Sequence, residues 1–257
     1  MKKTIQIIIL FFTFINQTNS QDIKLGFQSG IGTYSMSGLK GLNNTITQSL
    51  PFDSKIVSDF PQFWYYRPMA FMKLNNNWIG LVCTFQSTGS RISAKDYSGE
   101  YRCDMKVNTL SPGIYGDINL WSQFNFRASL YAIIGISFSN LAINNYFNVL
   151  DTVLTNETVN CKAMNYYCEP GLNLTYSIKS VSIGVNIDYL LQFGDQAFYT
   201  GGNTNNKLYN PQTQSAVKPE WNGIRAGVSI YFSIDKNTLN STKPESSSKI
   251  SIISGQK

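Results

Sequence analysis

Ile224-Arg225-Ala226-Gly227-Val228-Ser229-Ile230-Tyr231-Phe232-Ser233 is the stretch that decides the fold. Ile224, Ala226, Val228, Ile230 and Phe232 fall on one side, and Arg225, Gly227, Ser229 and Ser233 on the other. Successive side chains of a β-strand point to opposite faces, so this segment is a strand with one apolar and one polar side.

Seven more stretches alternate in the same way, near residues 23–35, 63–74, 78–90, 100–120, 126–144, 164–177 and 181–193. Short turns are expected at Asn75-Asn76-Asn77, at 121–125 and at Ile178-Lys179-Ser180; Asn tolerates the left-handed backbone such turns need. Long connections are expected at 36–62, 91–99, 145–163 and 194–221. In the first of these, Leu39, Leu42, Ile46 and Leu50 recur at helical spacing, and Pro51 ends the run. Long and short connections alternate, so in an up-and-down barrel every long one emerges at the same rim. That is the pattern of outer-membrane barrels. The expected fold is all-β: an eight-stranded antiparallel up-and-down transmembrane β-barrel with a short helix in the first outer loop. A bulge is expected near Ser111-Pro112. Before it Cys103, Met105 and Val107 form the apolar set, after it Ile114, Ile118 and Leu120, and one extra residue exchanges the faces of a strand.

The ends of the chain set the compartment. Lys2 and Lys3 precede an apolar run from Ile5 to Ile15, which Thr18-Asn19-Ser20 follows. This reads as a secretory signal peptide over 1–20, the run being too short to cross a bilayer as a helix. The barrel then covers 21–234. The tail, 235–257, is rich in Ser, Thr and Lys and is expected to be disordered. The formal charge of +6 is scattered, with no basic stripe, so nucleic acid is not an expected partner.

Alternation alone does not say which face is outside, because a soluble barrel alternates too. The apolar rows of six of the eight strands carry no charge, and only 14% of all residues are charged. Both facts favour lipid outside. A soluble exported barrel around a small apolar ligand is the alternative.

Several segments resemble the small eight-stranded bacterial outer-membrane barrel domains, the OmpA/OmpX-like family. They are Ile224 to Phe232, Ser35-Met36-Ser37-Gly38-Leu39-Lys40, Asp96-Tyr97-Ser98-Gly99-Glu100-Tyr101 and Glu169-Pro170-Gly171-Leu172-Asn173-Leu174. The resemblance spans about 21–234. It implies that Phe232 is the closing aromatic read by the outer-membrane assembly machinery. The family usually ends at that aromatic, whereas this chain runs on for 25 residues.

The chain contains no His, which removes Ser-His and Cys-His catalysis and most zinc sites. No phosphate-binding or dinucleotide-binding Gly loop is present. No enzyme activity, metal or cofactor is therefore expected. The four Cys are exported, and their spacing suggests disulfides Cys161–Cys168 and Cys83–Cys103. The polar face carries Arg67, Lys73, Arg102, Asp104, Lys106, Asp117, Arg127, Glu169, Asp188 and Arg225. Eight strands leave room only for side chains or one small ligand. Arg102, Asp104, Arg127, Glu169, Asp188 and Arg225 are thus expected to form a salt-bridged plug; a narrow pore for small solutes is the alternative. The expected role is envelope structure and surface interaction through the outer loops. The expected partners are outer-membrane lipid, the assembly machinery, and a surface ligand or neighbouring membrane protein.

Overall fold

A computed structural model describes residues 22–150, 152–194, 196–201 and 203–234. The expected signal peptide and tail lie outside the described residues. The elements are β1 (Ile23–Gly32), α1 (Ser37–Ser49), β2 (Lys55–Asp59), β3 (Phe63–Leu74), β4 (Asn77–Lys95), β5 (Gly99–Gln123), β6 (Phe126–Val149), β7 (Thr152–Ile178), β8 (Val181–Phe193), β9 (Tyr199–Thr200) and β10 (Gly223–Ile234). Eight of the strands close a ring in the order β1, β3, β4, β5, β6, β7, β8, β10. Antiparallel pairing of β1 with β10, from Ile23↔Ile234 to Gly32↔Arg225, seals it. A closed ring leaves no sheet edge, which is what permits strands to stand in lipid.

Three tight turns mark one rim, with Asn75, Phe124 and Lys179 at positive φ. Above them the wall is apolar outside. Leu25, Leu81, Ile134, Leu172, Val185 and Val228 all point outward and are exposed, Ile134 by 64%. Exposed aromatics flank this belt, Phe126, Tyr176 and Trp121 toward the turns and Trp64, Tyr66, Phe85, Phe138 and Tyr189 toward the opposite rim. Such a surface would be an aggregation hazard in water, whereas an apolar band between two aromatic girdles is what a bilayer requires. The other parity faces inward and is polar, with Gln28, Thr84, Ser129, Glu169, Asn186 and Arg225 all buried. The soluble-barrel alternative therefore has its faces reversed.

Beyond the upper girdle the rule inverts on unbroken strands. On β5 the odd-numbered residues face inward throughout: Cys103, Met105, Val107, Thr109, Ser111, Tyr115 and Asp117 are all buried. Pairing of β5 with β6 keeps one register from Leu110↔Phe138 to Gly113↔Gly135. The bulge expected at Ser111-Pro112 is thus absent from that site. The β5–β6 register shifts only between Asn119 and Trp121, near the turn rim. The apolar set changes residues because the solvent changes. Lipid outside demands apolar outward residues, and water outside demands apolar inward ones.

The same change corrects two of the four expected outer loops. Residues 91–99 and 145–163 are hairpin extensions, closed by short connections after Lys95 and Val149. Most of their exposed positions are polar, which reads as loop, although Tyr97, Leu150, Val153, Leu154 and Val159 are exposed as well; β-branched Thr152, Val153, Thr155 and Thr158 favour strand. Extended β4, β5, β6 and β7 form an open curved wall above the membrane. Strand β2 pairs with its β4 edge and β9 with its β7 edge.

Candidate functional site: the lumen and the extracellular cap

The mid-barrel lumen is filled by one charged cluster. Arg67 on β3 and Arg225 on β10 grip Glu169 on β7 from two sides; Arg67 donates to Oε1, and Arg225 Nη1 to Oε2 at 2.9 Å. All three side chains are at most 1% exposed. Asp188 on β8 accepts from Tyr131 OH at 2.6 Å and lies 3.9 Å from Arg67 Nη1. Two guanidiniums thus face two carboxylates, and their formal charges cancel. Neutral groups take three further donors, while Arg225 Nε–H has no protein partner. Thr84 Oγ1 accepts from Arg67 Nε at 2.7 Å, Gln28 Oε1 from Arg67 Nη1 at 3.3 Å, and Gln86 Oε1 from Arg225 Nη2. The Tyr65 ring lies 5.3 Å from both guanidinium carbons, a cation–π geometry on each. Buried charges are stable only when paired and hydrogen-bonded in this way.

Rings fill the space that the charges leave. Tyr167 reaches past Gly135 to Gly113, where an added Cβ would stand 2.5 Å from its hydroxyl. Tyr131 uses Gly171 in the same way, at 2.6 Å. The glycines let aromatic rings reach across a narrow bore without widening the wall.

A second cluster sits nearer the turns. Arg127 Nη2 contacts both oxygens of Asp117, at 3.0 and 3.1 Å, and the backbone N–H of Trp78 donates to Oδ1 at 2.6 Å. Lys24 lies 4.1 Å over the Trp78 ring. A hollow of about 20 Å³ beside this cluster has room for about one water. Ser129 Oγ and Asn173 Oδ1, from residues that line it, have no protein partner.

The structure therefore divides the six expected lumen residues. Glu169, Asp188 and Arg225 come together, joined by Arg67. Arg127 belongs to the separate Asp117 cluster. Arg102 and Asp104 are corrected: they stand on the outer wall of the hairpin extension, 3.2 Å apart, with Arg91 2.5 Å from Asp104. They alternate as lumen residues do, but at a height where outside is water. Both disulfide expectations are corrected by register. Cys161 is buried inside the wall, and Cys168 is on the opposite face of the same strand. Seven residues of strand separate them, about 23 Å at ~3.3 Å per residue, against a disulfide Cα distance of about 6 Å. Cys83 pairs across with Pro112, nine residues along β5 from inward-facing Cys103. All four are free thiols. Among the described residues no group of three His, Cys, Asp or Glu is placed to hold a metal.

Above the lumen the apolar core of the barrel continues into a folded cap. Leu39 and Leu42 of α1 are buried with Met105, Val107, Leu141 and Phe198. The amphipathic stripe seen in the sequence thus packs against the inner side of the extended wall. Glu220 ties the start of α1 to the last outer loop, its carboxylate accepting from the Ser37 backbone N–H at 3.0 Å. A carboxylate at a helix N-terminus also meets the positive end of the helix dipole. Thr45 donates to Asn210 at 3.0 Å, and Asn43 to Asp59 at 2.8 Å. Trp221 crosses from the loop into the bore, packs edge-on against Tyr34 and donates Nε1–H to Ser139 at 3.0 Å. Outside the membrane, burial pushes the Cys103 thiol up to about 11. The cap core was missed in the sequence. Its one signal was the Cys103-Met105-Val107 set, which reads as a bulge if the exterior is assumed uniform.

Together these features define a class: a small outer-membrane β-barrel with a buried charged cluster in its bore and a folded outer cap. No family model matches the sequence, and no curated protein matches it. Among solved structures the chain is similar to Neisserial surface protein A, at 8% identity over 82% of this chain and 96% of that one, with a TM-score of 0.37. It is similar to the attachment invasion locus protein Ail of Yersinia pestis at 12% identity over 83% and 96%, TM-score 0.30. It is also similar to Acinetobacter baumannii CarO2 at 10% identity over 83% and 99%, TM-score 0.34. Likeness this distant adds nothing to the assignment, which stands on the closed ring and its apolar exterior.

Proposed function

We propose that the protein is a closed barrel that anchors an interaction surface, and that the extracellular cap is that surface. The observation that carries the reading is the continuation of the apolar core into the cap, where Leu39, Leu42, Met105, Val107, Leu141 and Phe198 are buried. Loops that only close a barrel need no core, whereas a binding surface gains from a rigid support. The mutual pairing of Arg67, Glu169 and Arg225 supports a plugged bore in place of a solute pore. On this reading the protein acts in envelope structure and surface interaction, not as an enzyme. Residues 1–20 are the export signal, and Phe232, outward-facing near the end of β10, is the aromatic that the assembly machinery reads. A surface ligand or a neighbouring membrane protein is the partner.

Two measurements test this. The reconstituted barrel is expected to give no steady conductance in planar bilayers; large, regular, ion-selective steps would make it a pore. Trimming the β6–β7 hairpin tip and the 203–214 segment is expected to change cell adhesion while leaving the barrel assembled. If trimming alters nothing but loss of the whole barrel weakens the envelope, the barrel body is the working part.

A further inference from the structure

The outer wall has a notch at the upper membrane border. β3 pairs with β4 as far up as Tyr65↔Gln86, and β2 takes over only at Asp59↔Ser90. Ser87, Thr88 and Gly89 of β4 lie between, where the sheet ladder is broken and the chain joining β2 to β3 crosses instead, Phe60 N–H donating to the Gly89 carbonyl and the Thr88 hydroxyl to the Pro61 carbonyl, both at 3.0 Å. Two exterior hollows meet there, of about 320 and 560 Å³, and share Phe63 and Ser87. The lower one is lined by Trp64, Tyr66, Phe85 and Leu110, which are exposed and continuous with the lipid-facing belt. Asn108 and Ser87 form its upper lip, the serine hydroxyl donating to Asn108 Oδ1 at 2.8 Å. The upper hollow reaches Arg91, Asp104 and Lys106. Arg91 and Arg102 share the single carboxylate of Asp104, and Lys106 has no ion pair among the described residues. Three cations against one carboxylate leave the head of the groove positive.

An apolar trough that opens from the bilayer and ends at headgroup height in net positive charge has the polarity of an anionic amphiphile. We propose that this groove seats one outer-leaflet lipid with a phosphorylated headgroup. The acyl chains run along Trp64, Phe85 and Leu110, and the phosphate meets Lys106 and Arg91. The site is separate from the cap, and neither the plug nor the cap reading depends on it.

Trp64 supplies the reporter. Trp121 is the other exposed tryptophan, while Trp78 and Trp221 are buried, so the test uses a Trp121→Phe background. The folded full chain is placed in phosphatidylcholine nanodiscs doped with equal small fractions of chain-brominated phosphatidic acid or chain-brominated phosphatidylcholine. Brominated phosphatidic acid is expected to quench Trp64 more strongly. Lys106→Gln is expected to lower that preference about fivefold, the ratio equivalent to about 1 kcal/mol for one cation at a lipid surface. Arg91→Gln is expected to lower it too, and Asp104→Asn to raise it. Lys162→Gln, at similar height across β6 but outside the groove, is expected to change nothing. Equal quenching by the two lipids, or a preference that Lys106→Gln leaves intact, overturns the proposal. So does an equal loss in Lys162→Gln, which would mean a diffuse surface attraction in place of a seat.

Discussion

Glu169→Gln is the most searching single substitution for the plug. The side chain keeps its volume, so no cavity opens and packing is untouched. What changes is charge: two guanidiniums, each at most 1% exposed, are left facing one carboxylate. The new amide offers one acceptor where two arginines had one each, and its N–H₂ group points at a cation. Breaking a buried ion pair by removing one partner costs about 3–5 kcal/mol. That range is a large share of the roughly 5–15 kcal/mol that holds a domain folded. The assay is urea unfolding in phospholipid vesicles, followed by tryptophan fluorescence, with gel mobility of unheated samples as a check on closure. Adding Arg225→Gln restores formal neutrality and is expected to recover part of the loss, so the double-mutant cycle gives a favourable coupling energy. A Glu169→Gln barrel within about 0.5 kcal/mol of the parent, the usual range for a neutral surface change, would refute the reasoning. So would strict additivity of the two substitutions.

Three other outcomes follow from the same geometry. Val228→Arg puts a charge at mid-strand on an exposed lipid-facing position and is expected to cost about 2–4 kcal/mol, seen as failed assembly or a lowered urea midpoint; Ser229→Arg, one residue on, points inward and should act by crowding instead. With no disulfide, denatured unreduced protein is expected to titrate as four thiols, while a membrane-permeant maleimide labels outward-facing Cys83 and Cys168 ahead of buried Cys103 and Cys161; fewer than four thiols would contradict the register. Asp96, at the β4–β5 tip, is held below the ordinary aspartate value by hydrogen bonds from the Ser98 hydroxyl and then the Ser98 and Gly99 backbone N–H groups. A depressed carboxylate stabilises the tip fully above its unfolded value and loses that effect as pH falls through the folded one, so amide-exchange protection at Ser98 and Gly99 should hold at neutral pH and fade in strong acid, and Asp96→Asn should flatten the profile.

The eight ring strands and their alternation through the apolar belt were legible in the sequence, because a period of two is written into each chain segment whatever surrounds it; the strand extensions over 91–99 and 145–163, and the unbroken parity of β5 through Ser111-Pro112, were not. It also placed α1, whose stripe of Leu39, Leu42 and Ile46 is a local pattern. Glu169, Asp188 and Arg225 were legible as inward residues for the same reason, and their mutual pairing was not, since contact across a bore depends on shear and strand order. Tertiary structure alone decided what each parity faces. Arg102 and Arg225 sit in identical alternations, yet one meets water on the outer wall and the other is buried beside Glu169. The difference lies in height along the barrel, where the medium outside changes from hydrocarbon to water and the sign of the hydrophobic preference reverses with it. The cysteines make the same point: Cys161 and Cys168 lie on one extended strand, where seven residues already mean a wide gap, and the register of β4 with β5 sets Cys83 opposite Pro112, far from Cys103.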